Sequence, residues 1–171
     1  MQFNVSSLLK EPTGATREYD IDDGQAVIEG RRHPVTGHVR FDRTPRGVFV
    51  RARLDGAMSD VCSRCLKPIT FPVHIEIEEE FLPIVDVVTG AAVAAEEGDE
   101  DAYRITPNHI LDLEEAAQQY WMLALPLAPL CSETCRGLCP LCGEEISDTG
   151  HACTREQMDA RWSKLANLKL G

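Results

Sequence analysis

Hydrophobic and polar residues alternate along three stretches of the chain, at residues 35–41, 48–54 and 69–77. Alternation with a period of two is the pattern of β-strands that bury one face. In the second stretch, one face carries Val48, Val50, Ala52 and Leu54, and the other carries Phe49, Arg51 and Arg53. Residues 44–47, which include a proline and a glycine, predict a turn between the first two stretches. Together these stretches predict an antiparallel β-meander.

Two short strands and two helices complete the predicted elements. Residues 3–9 and 17–21 predict short extended segments. Asp112 can cap a helix that Pro126 ends. The apolar face of this helix contains Leu113, Ala117, Tyr120 and Ala124. Thr154 can cap a last helix, one face of which contains Met158, Trp162, Leu165 and Lys169.

Charge is distributed unevenly along the chain, whose formal net charge is −11. Residues 31–53 contain seven arginines and one acid, whereas residues 76–101 contain ten acids and no lysine or arginine. The net charge argues against a generally basic surface that coats nucleic acid. The small and acidic residues at about 86–104 predict a solvated loop without a chemical role.

The polar face of the second predicted strand has two interpretations. An aromatic ring beside guanidinium groups suits unpaired RNA bases. The candidate RNA-binding residues are Arg40, Phe49, Arg51 and Arg53. In the alternative interpretation, Arg53 lies near Glu76 and Arg51 near Glu78, as cross-strand ion pairs on a solvated sheet face.

Seven cysteines and the absence of an apolar leader lead us to expect a soluble, cytoplasmic protein without a membrane partner. The first 20 residues lack a basic segment followed by an apolar one, and no later stretch resembles a membrane helix. In a reducing compartment, cysteines serve as thiolate ligands more readily than as disulfides. Their odd number also argues against a closed disulfide framework.

The spacing of the cysteines predicts metal binding. Five of the seven lie within 23 residues, from Cys131 to Cys153. The half-sites are Cys62-x-x-Cys65, Cys131-x-x-x-Cys135, Cys139-x-x-Cys142 and His151-x-Cys153. A structural zinc site takes four thiolate or imidazole ligands in a tetrahedron, so eight candidate ligands predict two zinc ions. Four protein ligands leave no open position for water, and therefore we expect no enzymatic activity and no small-molecule substrate.

The ligands can be divided between metal ions in two ways. In one, Cys131, Cys135, Cys139 and Cys142 form a single local site, and the other cysteines are ordinary thiols. In the other, Cys62 and Cys65 join Cys131 and Cys135, while a second site contains Cys139, Cys142, His151 and Cys153. The second division uses every cysteine and is the one we favour, although spacing alone leaves both open.

These elements predict an α+β fold. It consists of an antiparallel meander, in a small sheet or partial barrel, with one packed helix. A C-terminal zinc-knuckle segment and a short terminal helix follow. We predict a β-rich domain at residues 1–125 and a cysteine-rich segment with the last helix at residues 126–171.

Four motifs together resemble the YceD family of large ribosomal RNA subunit accumulation proteins. They are the segments 62–68 (CSRCLKP), 112–115 (DLEE), 123–143 (LALPLAPLCSETCRGLCPLCG) and 161–169 (RWSKLANLK). The resemblance covers most of the chain. It implies a non-catalytic factor in large ribosomal subunit assembly. The expected partners are large-subunit ribosomal RNA or a pre-ribosomal particle, a basic ribosomal protein, or both. A thiol redox or zinc-sensing protein is the alternative function.

Overall fold

The chain folds mostly into strands arranged in open sheets, with few helices, in a computed structural model. The structure describes residues 1–28, 30–146, 151 and 153. The helix predicted after Thr154 therefore lies outside the described residues. The strands are β1 (Gln2–Asn4), β2 (Thr16–Ile28), β3 (Arg31–Arg43), β4 (Val48–Val61), β5 (Pro68–Pro83), β6 (Tyr103–Ile105) and β7 (Ile110–Asp112). The helices are α1 (Ser6–Leu9) and α2 (Glu114–Ala124).

The main sheet has five strands in the order β2-β3-β4-β5-β6. Strand β3 pairs antiparallel with β2 and with β4, whereas the short β6 pairs parallel with β5. Strands β1 and β7 form a separate antiparallel pair. The three alternating stretches lie in the adjacent strands β3, β4 and β5, and each strand is longer than the stretch that predicted it.

Burial follows the alternation that the sequence predicts. In β4, Val48, Val50, Ala52 and Leu54 are buried in the core. On the opposite face Phe49 is half-buried, while Arg51 and Arg53 are exposed. Strand β5 continues the buried face with Val73, Ile75 and Ile77. Period-two patterning thus assigned the core face of both strands correctly.

Helix α2 packs against β2 through a face that differs from the predicted one. The buried residues at its start and along its length are Leu113, Ala116, Ala117 and Trp121. Tyr120 is half-buried and Ala124 is exposed. The Trp121 ring fits against Gly56, where an added Cβ would come within 2.3 Å of the indole Cη2 atom. The helix also begins later than predicted, because Asp112 ends β7 and accepts a hydrogen bond from the backbone N–H of Glu114 (2.9 Å).

The prediction of one strand at residues 3–9 is wrong. Strand β1 ends at Asn4, and the one-turn helix α1 follows. The Asn4 side chain accepts hydrogen bonds from the backbone N–H of Ser6 (3.0 Å) and from its hydroxyl (2.7 Å). Such local bonds from an asparagine turn the backbone away from the strand. The turn places Leu8 and Leu9 in the core.

The acidic loop between β5 and β6 lies slightly earlier in the chain than predicted and is less uniform. It ends before Tyr103, where β6 begins. Most of the loop from Val88 onwards is exposed, as expected, but Asp99 is only 6% exposed. The prediction of a wholly solvated segment is therefore wrong at this position.

The chain divides into two compact units. One comprises Met1–Met58 and Thr70–Pro126, and the other comprises Ser59–Ile69 with the described residues from Leu127 onwards. The second unit contains all eight predicted metal ligands. The predicted domain boundary after residue 125 stays a prediction, because a division by contacts does not test independent folding. Neither helix in the described part of the chain is long and apolar enough to cross a membrane.

The burial of Trp121 generates the first prediction. Truncating it in Trp121→Ala should lower the free energy of unfolding by about 3–5 kcal/mol, because the change leaves a cavity against Gly56. The adjacent Met122 is 44% exposed on the same helix. Met122→Ala is the control and should change the free energy by less than about 0.5 kcal/mol. Urea unfolding followed by circular dichroism measures both, and equal effects would contradict the packing described here.

Candidate metal centres and a charged sheet face

The connection between β4 and β5 forms a tight knuckle around Cys62 and Cys65. The backbone N–H of Leu66 donates to the carbonyl of Cys62 (2.9 Å), and the N–H of Cys62 donates to the carbonyl of Lys67 (2.8 Å). Leu66 has a φ of 61°, in the left-handed region. This turn places the two cysteines at the same knuckle, and both are buried.

A second knuckle around Cys139 and Cys142 repeats the same backbone bonds. The N–H of Gly143 donates to the carbonyl of Cys139 (2.8 Å), and the N–H of Cys139 donates to the carbonyl of Glu144 (2.7 Å). Gly143 has a φ of 77° at the position that corresponds to Leu66. The two knuckles therefore share one backbone conformation, with glycine in one and leucine in the other.

The first candidate metal centre combines the β4–β5 knuckle with Cys131 and Cys135. The Sγ atoms of Cys62 and Cys135 are 3.8 Å apart, and those of Cys65 and Cys131 are 3.6 Å apart. All four sulfurs lie within 4.8 Å of one another. Tetrahedral ligation with Zn–S bonds of 2.3 Å separates the sulfurs by about 3.8 Å. The four thiols therefore fit a zinc ion.

Arg64, inside the first knuckle, holds the two halves of this centre together. Its guanidinium donates to the carbonyl of Cys135 (2.7 Å), and its carbonyl accepts from the N–H of Leu138 (3.2 Å). Gly137 has a φ of 80°, and a Cβ there would lie 2.9 Å from the Arg64 carbonyl oxygen. The neighbouring Ser63 N–H donates to the carbonyl of Pro129 (2.8 Å). Backbone bonds thus position Cys131 and Cys135 independently of their thiols.

The second candidate centre combines the other knuckle with His151 and Cys153. The ligand atoms of Cys139, Cys142, His151 and Cys153 all lie within 4.8 Å of one another. His151 Nε2 is 3.0 Å from the Cys142 sulfur, and its Nδ1 is 3.9 Å from a carboxylate oxygen of Glu144. A carboxylate on the far nitrogen is the usual way to orient a metal-binding histidine. The donor set of three thiols and one imidazole also suits zinc.

Within each group, one thiol has a lowered pKa and another has a raised pKa. The backbone N–H of Cys65 lowers the pKa of Cys62 to about 6, and the N–H of Cys142 lowers the pKa of Cys139 to about 7. Hydrogen bonding with the neighbouring thiol of Cys135 raises the pKa of Cys131 to about 12. One thiol in each group therefore ionises readily, and a divalent cation would lower the cost of ionising the others.

The structure brings the eight predicted ligands together in the second of the two divisions that spacing left open. Cys62 and Cys65 lie with Cys131 and Cys135, and not in isolation. Two cysteine-rich groups can thus hold metal ions. No disulfide joins any of the seven cysteines, all of which are in the described part of the chain. The sequence did not identify Arg64 as the residue that joins the two halves, because its side chain bonds to backbone carbonyls 69 and 71 positions away.

The charged face of β4 carries the cross-strand ion pairs that the sequence predicted. Arg53 Nε is 3.1 Å from a Glu76 carboxylate oxygen, and Arg51 Nε is 3.9 Å from one of Glu78. These predicted neighbours are confirmed. Arg51 also pairs with Asp42.

The four candidate RNA-binding residues lie on one face of adjacent strands. The Arg51 guanidinium carbon is 5.0 Å from the centre of the Phe49 ring. Arg40 pairs with Asp42 (2.9 Å) and with Glu18 (3.6 Å). All three arginines therefore have acidic neighbours, and RNA binding by this face stays a prediction.

Comparison with known proteins identifies one matching family. The family described as "Large ribosomal RNA subunit accumulation protein YceD" matches residues 50–169. This range includes both knuckles, all eight candidate ligands and helix α2. No solved structure matches the chain.

Curated relatives come from mycobacteria, and each bears the name "Uncharacterized protein". Mb2951c of Mycobacterium bovis and Rv2926c of Mycobacterium tuberculosis are each 32% identical over 131 residues, which are 76% of this chain. ML1660 of Mycobacterium leprae is 26% identical over 136 residues, 79% of this chain. In each case the match spans 59% of the relative's length.

Because the two knuckles share one conformation, substitutions at Gly143 and Leu66 should change the free energy of unfolding in opposite directions. A left-handed conformation costs a non-glycine residue about 1–2 kcal/mol. Gly143→Ala should therefore destabilise the protein by about 1 kcal/mol, because no atom of the described residues lies within 4 Å of the added Cβ and the main change is backbone strain. Leu66→Gly should stabilise it, by up to about 1 kcal/mol after the greater flexibility of glycine in the unfolded chain is counted. Urea unfolding with saturating zinc measures both. A loss of stability in Leu66→Gly would contradict the prediction, because contacts of the leucine side chain would then contribute more to stability than the left-handed backbone costs.

Proposed function

The chain belongs to the YceD family of large ribosomal RNA subunit accumulation proteins, and from that membership we propose that it is a non-catalytic, zinc-binding assembly factor. It acts on precursors of the large ribosomal subunit in the cytoplasm. It binds ribosomal RNA, a basic ribosomal protein, or both. Its two zinc ions stabilise the fold and take no part in a reaction.

The grouping of eight ligands into two complete sets of four is the observation that carries the structural part of this proposal. A catalytic zinc keeps one coordination position open for water or substrate, whereas a structural zinc is closed by four protein ligands. Both sets here offer four donor atoms within 4.8 Å of one another. This closure supports a structural, non-catalytic role for the metal ions.

The charges of the surface support contacts with ribosomal components. Arg40, Phe49, Arg51 and Arg53 are the residues that we propose for RNA. The side chain of Arg53 is 82% exposed, and exposed ion pairs contribute only about 0–1 kcal/mol each. Phosphates can therefore replace the acidic partners of these arginines at little cost. The net charge of −11 favours electrostatic attraction of a basic ribosomal protein to other parts of the surface.

Thiol redox or zinc sensing is the second candidate function. It is favoured by the pKa of Cys62, which the Cys65 N–H lowers to about 6, since a thiolate is the reactive form of cysteine. However, Cys62 lies in a turn between strands with three other thiols around it, as expected for a closed metal site. Counting reactive thiols with and without a chelator separates the two functions. Seven protected thiols that become reactive only with chelator support structural zinc.

Affinity purification of the tagged protein from cells is the experiment that tests the proposal. Large-subunit precursor RNA and its proteins should co-purify in preference to small-subunit components. Nuclease treatment before elution then identifies the direct partner, because only a protein contact survives it. Enrichment of neither class of component would contradict the assembly function.

Charge reversal on the sheet face generates a specific prediction. The double variant Arg51→Glu and Arg53→Glu should weaken binding to a large-subunit RNA fragment. It should also reduce the slope of log affinity against log salt by about one unit for each lost phosphate contact. The control is Arg31→Glu with Arg32→Glu, which makes the same change in charge at exposed positions at the start of β3. A folded sheet-face variant that keeps wild-type affinity and salt slope would remove RNA binding from this face.

A further inference from the structure

The acidic loop between β5 and β6 places one carboxylate in a pocket formed by other elements. The loop has six acids at residues 85–101, five of them exposed or half-buried. The sixth, Asp99, is the one buried charged residue in the described part of the chain. Its ionic partner is Arg46, 53 positions away in the turn between β3 and β4. This ion pair links the loop to a turn that is distant in sequence.

Two arginines hold Asp99 from different elements. Arg46 Nη2 lies 2.6 Å from both carboxylate oxygens of Asp99. Arg104, in β6, donates to the backbone carbonyl of Asp99 (2.7 Å), and the N–H of Glu96 donates to the carboxylate (2.9 Å). The bond from Arg46 holds the pKa of Asp99 below its ordinary value, so the group is ionised at neutral pH. The Asp99 carboxylate thus occupies an anion site inside its own chain.

The pocket around this site has room for a larger group. Its volume is about 280 Å³, and its apolar walls include Leu9, Leu82, Pro83, Val87 and Val93. A third arginine, Arg43, also lines the pocket, but it donates to the backbone carbonyls of Leu9 and Gly47. Arg46 is therefore the cation that faces the Asp99 carboxylate, and Arg104 lies beside it with its guanidinium on the Asp99 backbone carbonyl.

The other two acids that line the pocket, Asp86 and Glu96, also have partners. Asp86 accepts bonds from the backbone N–H groups of Val88 and Thr89. Glu96 lies 3.5 Å from Arg46 at the open side, where its side chain is 72% exposed. Removal of the Asp99 carboxylate would therefore leave the Arg46 guanidinium without its main internal anion, while the bond from Arg104 to the Asp99 backbone carbonyl would remain.

We propose that the pocket between Arg46 and Arg104 binds a phosphate group, and that Asp99 is an internal competitor which the phosphate displaces. A guanidinium binds carboxylate and phosphate oxygens with the same forked geometry, which makes one a natural substitute for the other. The apolar walls suit the sugar or base that accompanies a nucleotide phosphate. The phosphate comes from the RNA backbone or from free phosphate, and only the first source rests on the proposed function.

Titration of four purified, zinc-loaded proteins with inorganic phosphate tests the pocket. They are the wild type, Asp99→Asn, Glu97→Gln and the double variant Asp99→Asn with Arg46→Gln. Asp99→Asn should bind phosphate about tenfold more tightly, as expected if the competitor fills the site about 90% of the time. Glu97→Gln removes the same charge from an exposed position two residues away and should stay within about twofold of the wild type. The double variant should lose the gain.

A second arm replaces phosphate with a short single-stranded oligoribonucleotide. The same order of affinities identifies the RNA backbone as the source, whereas a response to inorganic phosphate alone assigns the pocket to free phosphate. Equal phosphate affinities of wild type and Asp99→Asn, with amide NMR spectra that show both folded, would overturn the proposal and leave Asp99 as an anchor of the loop. That result would not affect the assembly function, which co-purification of the wild type tests separately.

Discussion

The convergence of four thiols from two distant parts of the chain is the constraint on which the cysteine-rich unit depends. Cys65 and Cys131 are 66 positions apart, yet their sulfurs lie 3.6 Å from each other. Closing so long a loop costs conformational entropy, and crowding four ionisable thiols adds repulsion. A divalent cation offsets both costs, since its binding free energy becomes folding free energy.

Backbone hydrogen bonds orient the first cysteine of each knuckle. Each knuckle is closed by the same two hydrogen bonds, from the N–H of its first cysteine and from the N–H of the left-handed residue. Arg64 and Gly137 then hold the segment that carries Cys131 and Cys135 against the first knuckle. A metal ion would therefore bind at sites whose cysteines are also positioned by main-chain bonds. Sites of this kind are suited to a scaffold that presents fixed surfaces to partners.

The parts of the fold that the sequence predicted are those controlled by local or periodic rules. Alternation assigned the buried face of β4, and Cys-x-x-Cys spacing identified the half-sites. The failures have other causes. The Asn4 side chain redirected the backbone after three strand residues, which hydrophobicity does not record. No local signal distinguishes Asp99 from its acidic neighbours, because its burial depends on Arg46 in another element. The pairing of half-sites could be proposed but not decided, since spacing does not report which distant segments meet.

Native mass spectrometry of the purified protein tests the central claim, that two separate sets of four ligands each hold one zinc ion. The account predicts two zinc ions in the wild type and one in Cys62→Ser with Cys65→Ser. It also predicts one in Cys139→Ser with Cys142→Ser, and none when all four changes are combined. A wild type with a single zinc ion that survives replacement of Cys62 and Cys65 would contradict the account, because the metal would then lie in a local site formed by Cys131, Cys135, Cys139 and Cys142.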